Sequence, residues 1–423
     1  MYHGSIRGSG VSTAISSVSL ARRHWTSPSL VGQLYGEPLV YGGDVYVATE
    51  SDVVYALSAR NGAVVWSRHL AQPVPASALP CGNISPTVGI TGTPVIDPHS
   101  GEMYLVAEEM VGAKPEHFLF GLNAKDGTTE LRRRVDPPQS MPSALLQRTG
   151  VTLSHGRVIF GFGGLYGDCA IYHGTVASVA EDGRSVRYFL VDKAAGQNQG
   201  AIWMGGAAPV VDAAGNVWVS VGNGSVTSAS QPYDDSDSLL ELTSNAQLKQ
   251  FFAPTSWPQD NASDLDMSMA PALLNSGQVV LAGKARIVYL LNAGRLGGIG
   301  SGVASIGTAC GDDIDGGVAV LGQTVYLPCL SGTVAVRVGR SPASLHIVWS
   351  ASVGGEPAIV AAGRVWTVGS DGVLYGLDLA TGAVRQSATI GVPANHFATP
   401  SVGDSLLLVT SANNVVAFAA RAR

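Results

Sequence analysis

The stretch Glu37–Trp66, EPLVYGGDVYVATESDVVYALSARNGAVVW, sets out a pattern that the chain repeats. Short apolar runs (Leu39-Val40, Val45–Ala48, Val53–Leu57, Val64–Trp66) are separated by Gly42-Gly43-Asp44, Ser51-Asp52 and Asn61-Gly62. Runs of this length, rich in Val and Tyr and bounded by Gly, Asn and Asp, predict an antiparallel meander rather than helices. Four such strands make one twisted sheet that cannot bury both of its faces alone. It needs neighbours of its own kind.

The sequence supplies them. A small or acidic residue followed by an apolar strand recurs at Glu37, Thr93, Thr149, Ala208, Ala270, Gly316, Glu356 and Thr399. A turn and a second strand follow each start, as in Val45–Val47, Val217–Val219, Val325–Leu327 and Val365–Thr367. A third strand comes next, as in Val54–Leu57, Val288–Leu291 and Leu374–Leu377. Eight copies at spacings of roughly 40 to 60 residues predict one all-β domain over residues 1–423, an eight-bladed β-propeller with four-stranded antiparallel blades. The copy that starts at Thr399 runs out after Val415–Phe418 without a fourth strand. Residues 19–30, around His24-Trp25-Thr26, are predicted to complete that last blade and close the ring, which removes an open edge. Insertions at Met110–His117, Gly163–His173 and Ser225–Asp237 fall in copies two to four, and inserted loops on a rigid scaffold are where binding concentrates.

Composition narrows the function. Charged residues are only 13% of the chain and Gly numbers 53, a turn-dense β composition with too much apolar content for disorder. A net charge of −6, with Arg132–Arg134 as the one basic run, argues against nucleic acid. No apolar run approaches the length of a transmembrane helix. The start, Met1-Tyr2-His3, lacks a charged and then apolar leader, so the chain is read as cytosolic or as exported with its signal peptide absent. Cys81, Cys169, Cys310 and Cys329 form no CxxC, which argues against zinc. Cys310 and Cys329 flank one strand-turn-strand region and are expected to pair, leaving Cys81 with Cys169. That favours an extracytoplasmic, oxidising compartment, secreted or cell-surface; buried free thiols are the alternative.

The phrases Ala56–Trp66 (ALSARNGAVVW) and Gly376–Val384 (GLDLATGAV) resemble the tryptophan-docking repeat of propellers of the PQQ (pyrroloquinoline quinone) type, A-L-D-x-x-T-G-x-x-x-W. The opening Tyr2-His3-Gly4, with Arg7 and Gly10, is similar to the start of these propellers. The family includes quinoprotein alcohol dehydrogenases and BamB-type assembly proteins. The resemblance implies a Trp stacked under the cofactor, a Gly-Asn calcium site (here Gly222-Asn223), a catalytic Asp and a quinone-contacting Lys. Trp203, Asn223, Asp266 and Lys284 stand in that order, separated by 20, 43 and 18 residues. Three features depart from the pattern. The adjacent Cys pair is reduced to Cys81, Ser85–Thr91 holds no Arg for the cofactor carboxylates, and only Asp168 lies near the place of the calcium Glu. A tricarboxylate that loses its cationic clamp is left largely unpaired.

Two groups of candidates follow from the residues themselves. The insertion GGLYGDCAIYHG carries Tyr166, Asp168, Tyr172 and His173, an aromatic loop with a carboxylate and an imidazole. The starts of the inner strands place Glu37, Arg148, Asp266, Asp315, Glu356 and His396 around the mouth of the axial channel. Asp312, Asp313 and Asp315, like Asp234, Asp235 and Asp237, lack calcium-loop spacing and are read as surface turns. The reading is an extracytoplasmic propeller that binds a small polar ligand or cation at the channel mouth, without intact quinoprotein catalysis. The alternatives are a PQQ- and calcium-dependent alcohol or sugar dehydrogenase, with Asp266 as base and Asn223, Asp168 and Asp266 on the metal, or a BamB-like scaffold for a protein partner.

Overall fold

In the computed structural model, residues 1–392 and 395–423 are described. Blade one consists of Leu39–Tyr41, Asp44–Ala48, Val53–Ser58 and Val64–His69, each strand antiparallel to the one before. The same meander recurs in seven further sheets. Blade two is lengthened, because Glu102–Val111 and Lys114–Asn123, ten residues each, form a long hairpin through the expected insertion. In blade eight, Asn414–Ala422 pairs with Trp25–Thr26 and, further along, with Ile15–Val18. The N-terminal segment therefore supplies the last blade's outer edge and ties it to the rest of the ring.

The packing closes on itself. The buried apolar side chains fall into eight clusters, each shared by two consecutive blades, and one cluster joins Leu406 and Leu408 of blade eight to Val45 and Val47 of blade one. Strand alternation sends successive side chains to opposite faces, so every blade feeds both of its neighbours. Tryptophans lock three of these seams. The indole N–H groups of Trp25, Trp66 and Trp349 donate to the Ala59, Ala124 and Leu379 carbonyls of the following blade, at 2.8, 3.0 and 3.0 Å. Gly127, at φ 71°, shows why glycine follows: a Cβ there would lie 2.8 Å from the Trp66 ring.

Residues 1–10 fill the axis. The Val211, Val320 and Val360 amides, on inner strands of blades four, six and seven, donate to the Ile6, Ser9 and Gly10 carbonyls. Tyr2 and His3 are buried, and the Tyr2 hydroxyl lies 3.3 Å from the Thr399 hydroxyl at the start of blade eight. The channel is thus a packed stem, with open space above it.

Candidate functional site

Above the stem lies a cavity of about 840 Å³, within the range of small-molecule sites. Its wall is drawn from the loops that enter the inner strands, together with the Gly164–Asp168 segment. The Cys81–Cys169 bridge ties that segment to the loop carrying Asn83 and Ile84, which also faces the cavity. Cys310 is bridged to Cys329, so no cysteine is free.

One wall is an ionic cluster. Lys284 lies 2.7 Å from Asp266 and 3.1 Å from Asp264. Burial works against its ammonium, but the two carboxylates outweigh that and raise its pKa. Asp266 is fully engaged: Oδ1 accepts the Asn223 backbone N–H at 2.6 Å and, with the amide turned to satisfy it, the Asn223 side chain at 2.5 Å. The short helix Trp257–Ala262 buttresses this corner, since Asn261 accepts the Gly224 N–H at 2.6 Å and donates to the Val226 carbonyl at 2.6 Å. Asp315 accepts from Ser268, and burial pushes its pKa up to about 6. Asp168 accepts the Tyr172 hydroxyl at 2.7 Å and is also raised by burial. Asp313 makes no ion pair among the described residues.

The opposite wall is aromatic around a single cation. Arg148 is only 7% exposed; its guanidinium carbon lies 5.6 Å from the Tyr35 ring centre and 5.2 Å from that of Phe397. It donates to the His396 carbonyl at 3.0 Å. Phe397 leans on Trp203 with centroids 5.7 Å apart, and Lys284 Nζ lies 5.7 Å from the Trp203 ring, so the aromatic strip links the two walls.

Of the residues singled out in the sequence, Trp203, Asn223, Asp266, Lys284, Arg148, Tyr166, Asp168 and His396 meet at this cavity. Three stand elsewhere. Glu37 lies in the stem, accepting the His3 N–H at 2.8 Å, and burial pushes its pKa up to about 8. Glu356 sits behind His396, 3.5 Å from its Nδ1. His173 is buried, its amide bonded to Ser140 at 3.0 Å. The Asp234–Asp237 turn, expected at the surface, is instead largely buried: Asp234 accepts from Ser236 at 2.5 Å and from Val226 at 3.2 Å, folding back beneath Asn223. Asp315 is likewise inside. Tyr35, Asp264 and Phe397 were missed. Tyr35 lies just before the Glu37 inner-strand start, which is the one sequence signal that points to it.

The group that the resemblance implies, PQQ, is a tricarboxylate. Five carboxylates (Asp168, Asp264, Asp266, Asp313, Asp315) line the cavity against Arg148 and Lys284, and Lys284 is already neutralised. A quinone tricarboxylate would meet net repulsion here and does not fit these residues as they stand. Among the described residues, no group of three or more His, Cys, Asp or Glu side chains is arranged to hold a metal ion.

Comparison with known proteins sets the fold in context. The chain superposes on the quinohemoprotein alcohol dehydrogenase from Comamonas testosteroni with a TM-score of 0.71 at 15% identity, covering 98% of this chain and 79% of that one. A europium-containing methanol dehydrogenase gives 0.74 at 13% identity, over 99% and 97% of the two chains. BamB from Moraxella catarrhalis gives 0.57 at 13% identity, over 92% and 97%. No curated protein matches by sequence. No helix is long and apolar enough to cross a membrane. The sequence pattern described as outer membrane protein assembly factor BamB matches residues 21–237, half of the chain, and the protein belongs to that family of PQQ-type β-propellers.

Proposed function

We propose that the protein is an extracytoplasmic binding propeller that takes a small polar ligand into the cavity above the filled axis and carries out no quinone-dependent oxidation. One observation carries this reading: Trp203, Asn223, Asp266 and Lys284 converge on one large cavity, while the charge around them is wrong for the quinone. Asp266 has both oxygens committed, to Asn223 and to Lys284, which leaves it poorly placed to take a proton from an alcohol. Two formed disulfides support a compartment where such bonds persist.

The test has two arms. The purified chain is incubated with PQQ and calcium and assayed for dye reduction with several alcohols; no turnover is expected, and turnover abolished by D266N would overturn the reading. In the second arm, thermal unfolding is followed against a library of small polar compounds. A compound that raises the midpoint of the wild type but not of W203A supports the cavity as the site; an equal shift in both places binding elsewhere.

A further inference from the structure

Arg148 has an unusual situation. It is nine-tenths buried, yet no carboxylate lies within ion-pair distance among the described residues, and one carbonyl is its only protein acceptor there. A desolvated guanidinium carries five donors and is costly to bury unpaired. Cation–π contacts with Tyr35 and Phe397 offset part of that cost. Arg148 lines the cavity and its other guanidinium nitrogens are not sealed from solvent, while the carboxylates that act on it, Glu50 and Glu356, stay beyond ion-pair distance; an anion that enters the cavity would be its direct partner. Bidentate recognition of a carboxylate suits this geometry.

The far wall asks for the opposite charge. Lys284 satisfies Asp264 and Asp266, while Asp168, Asp313 and Asp315 have no cation within ion-pair distance among the described residues. Between the poles run Phe397 and Trp203, a strip two rings long with an apolar face. The path from Arg148 over Phe397 and Trp203 to Lys284 runs in legs of 5.2, 5.7 and 5.7 Å, and at about 3.5 Å per extended residue a chain of three or four residues follows it from wall to wall. Such a chain fits easily within 840 Å³.

We propose that the ligand is a short peptide with free termini: its C-terminal carboxylate pairs with Arg148, its N-terminal ammonium sits against Asp168, Asp313 and Asp315, and an apolar side chain lies on the Phe397–Trp203 strip. This rests on the ligand-binding reading above and names the ligand class of the same cavity. Capture of chain termini by fixed charges gives both orientation and length selectivity.

The experiment is calorimetric titration of the full chain with Gly-Phe-Gly, its N-acetyl form and its C-terminal amide, beside glucose, diaminopentane and glutarate. The free tripeptide is expected to bind, and blocking either end to weaken binding at least about tenfold, the worth of one ion pair of 1.4 kcal/mol. In R148Q the free acid and the amide should bind equally, and R148K should recover part of the difference. Equal binding of a capped form to the wild type overturns the proposal without any mutant. If glucose, diaminopentane or glutarate binds and the tripeptide does not, the peptide proposal falls while the ligand-binding reading stands. If no probe binds, the peptide proposal falls, and if the library above also gives no shift, the ligand-binding reading falls with it.

Discussion

The seam between blades one and two and the seam between blades four and five solve the same wedge in opposite ways. In the first, Trp66 spans the gap, its ring against Gly127 and its N–H on the Ala124 carbonyl, amid apolar side chains such as Leu39, Met103 and Phe120. In the second, the apolar cluster stops short of the cavity, and polar groups take over: Asn223 on Asp266, Asp266 on Lys284, Asn261 beneath. The first arrangement buries area and holds the ring. The second keeps charges fixed in place at the end of the axis, which stability alone does not require. Regularity marks the scaffold; departures from it mark the candidate site.

That contrast can be broken by mutation. The largest effect is expected at the regular seam: W66A removes a ring that is 9% exposed and should lower stability by about 3–5 kcal/mol. Chemical denaturation should show this, with ligand affinity unchanged in the material that remains folded. A smaller loss, about 2–3 kcal/mol, is expected for K284M. It strands the Asp266 carboxylate, and the cost is reduced because Lys284 keeps partial contact with water. Unlike W66A, this change should also alter ligand binding. An equal affinity loss in W66A would erase the distinction between the two seams.

The pH profile sharpens the contrast by showing where buried carboxyls sit without an ion pair among the described residues. Burial raises Glu50 to about 7 and Glu37 to about 8, and raises Asp192 to about 9. A carboxyl whose folded pKa lies above its unfolded value holds its proton more tightly in the folded state. Its contribution to stability is complete below the unfolded pKa near 4 and is lost as pH rises through the folded value. The unfolding midpoint should therefore fall steadily from about pH 5 to pH 9. E50Q should remove the part of the fall below about pH 7, and D192N should flatten the part that extends to about pH 9. Thermal unfolding across that range reads both. A midpoint that rises with pH would contradict the burial of these groups.

Much of the fold was legible because it is periodic. Val45–Ala48 and Val53–Leu57 announce strands by composition, Asn61-Gly62 announces the turn, and recurrence announces neighbours. The closing strand was legible from a deficit, since the last copy ended one strand early and Trp25 stood unassigned; the structure adds Ile15–Val18 to it. The site was legible in part. Trp203, Asn223, Asp266 and Lys284 were found through family order, and the structure brings them together. Glu37 was misread as facing an open mouth, because nothing in its own strand reveals that Tyr2 and His3 fill the axis beside it. Asp234 and Asp237 looked like surface turn residues, which is what their composition implies; the turn between them is held inside through Ser236, whose hydroxyl bonds Asn261 from a helix more than twenty residues later. Phe397 belongs to no periodic pattern, and its place against Arg148 and Trp203 arises only from closing the ring. Local pattern carries the scaffold, whereas convergence of distant loops carries the site.

The central claim is that ligand binding belongs to the irregular loops above the stem and leaves the regular seams untouched. Hydrogen–deuterium exchange of the full chain, alone and saturated with the tightest-binding probe, tests this directly. The account predicts slower exchange in residues 163–173, 264–268 and 311–315, with the hairpin at residues 53–66 unchanged. Protection centred on that hairpin, or spread evenly around the ring, would contradict it.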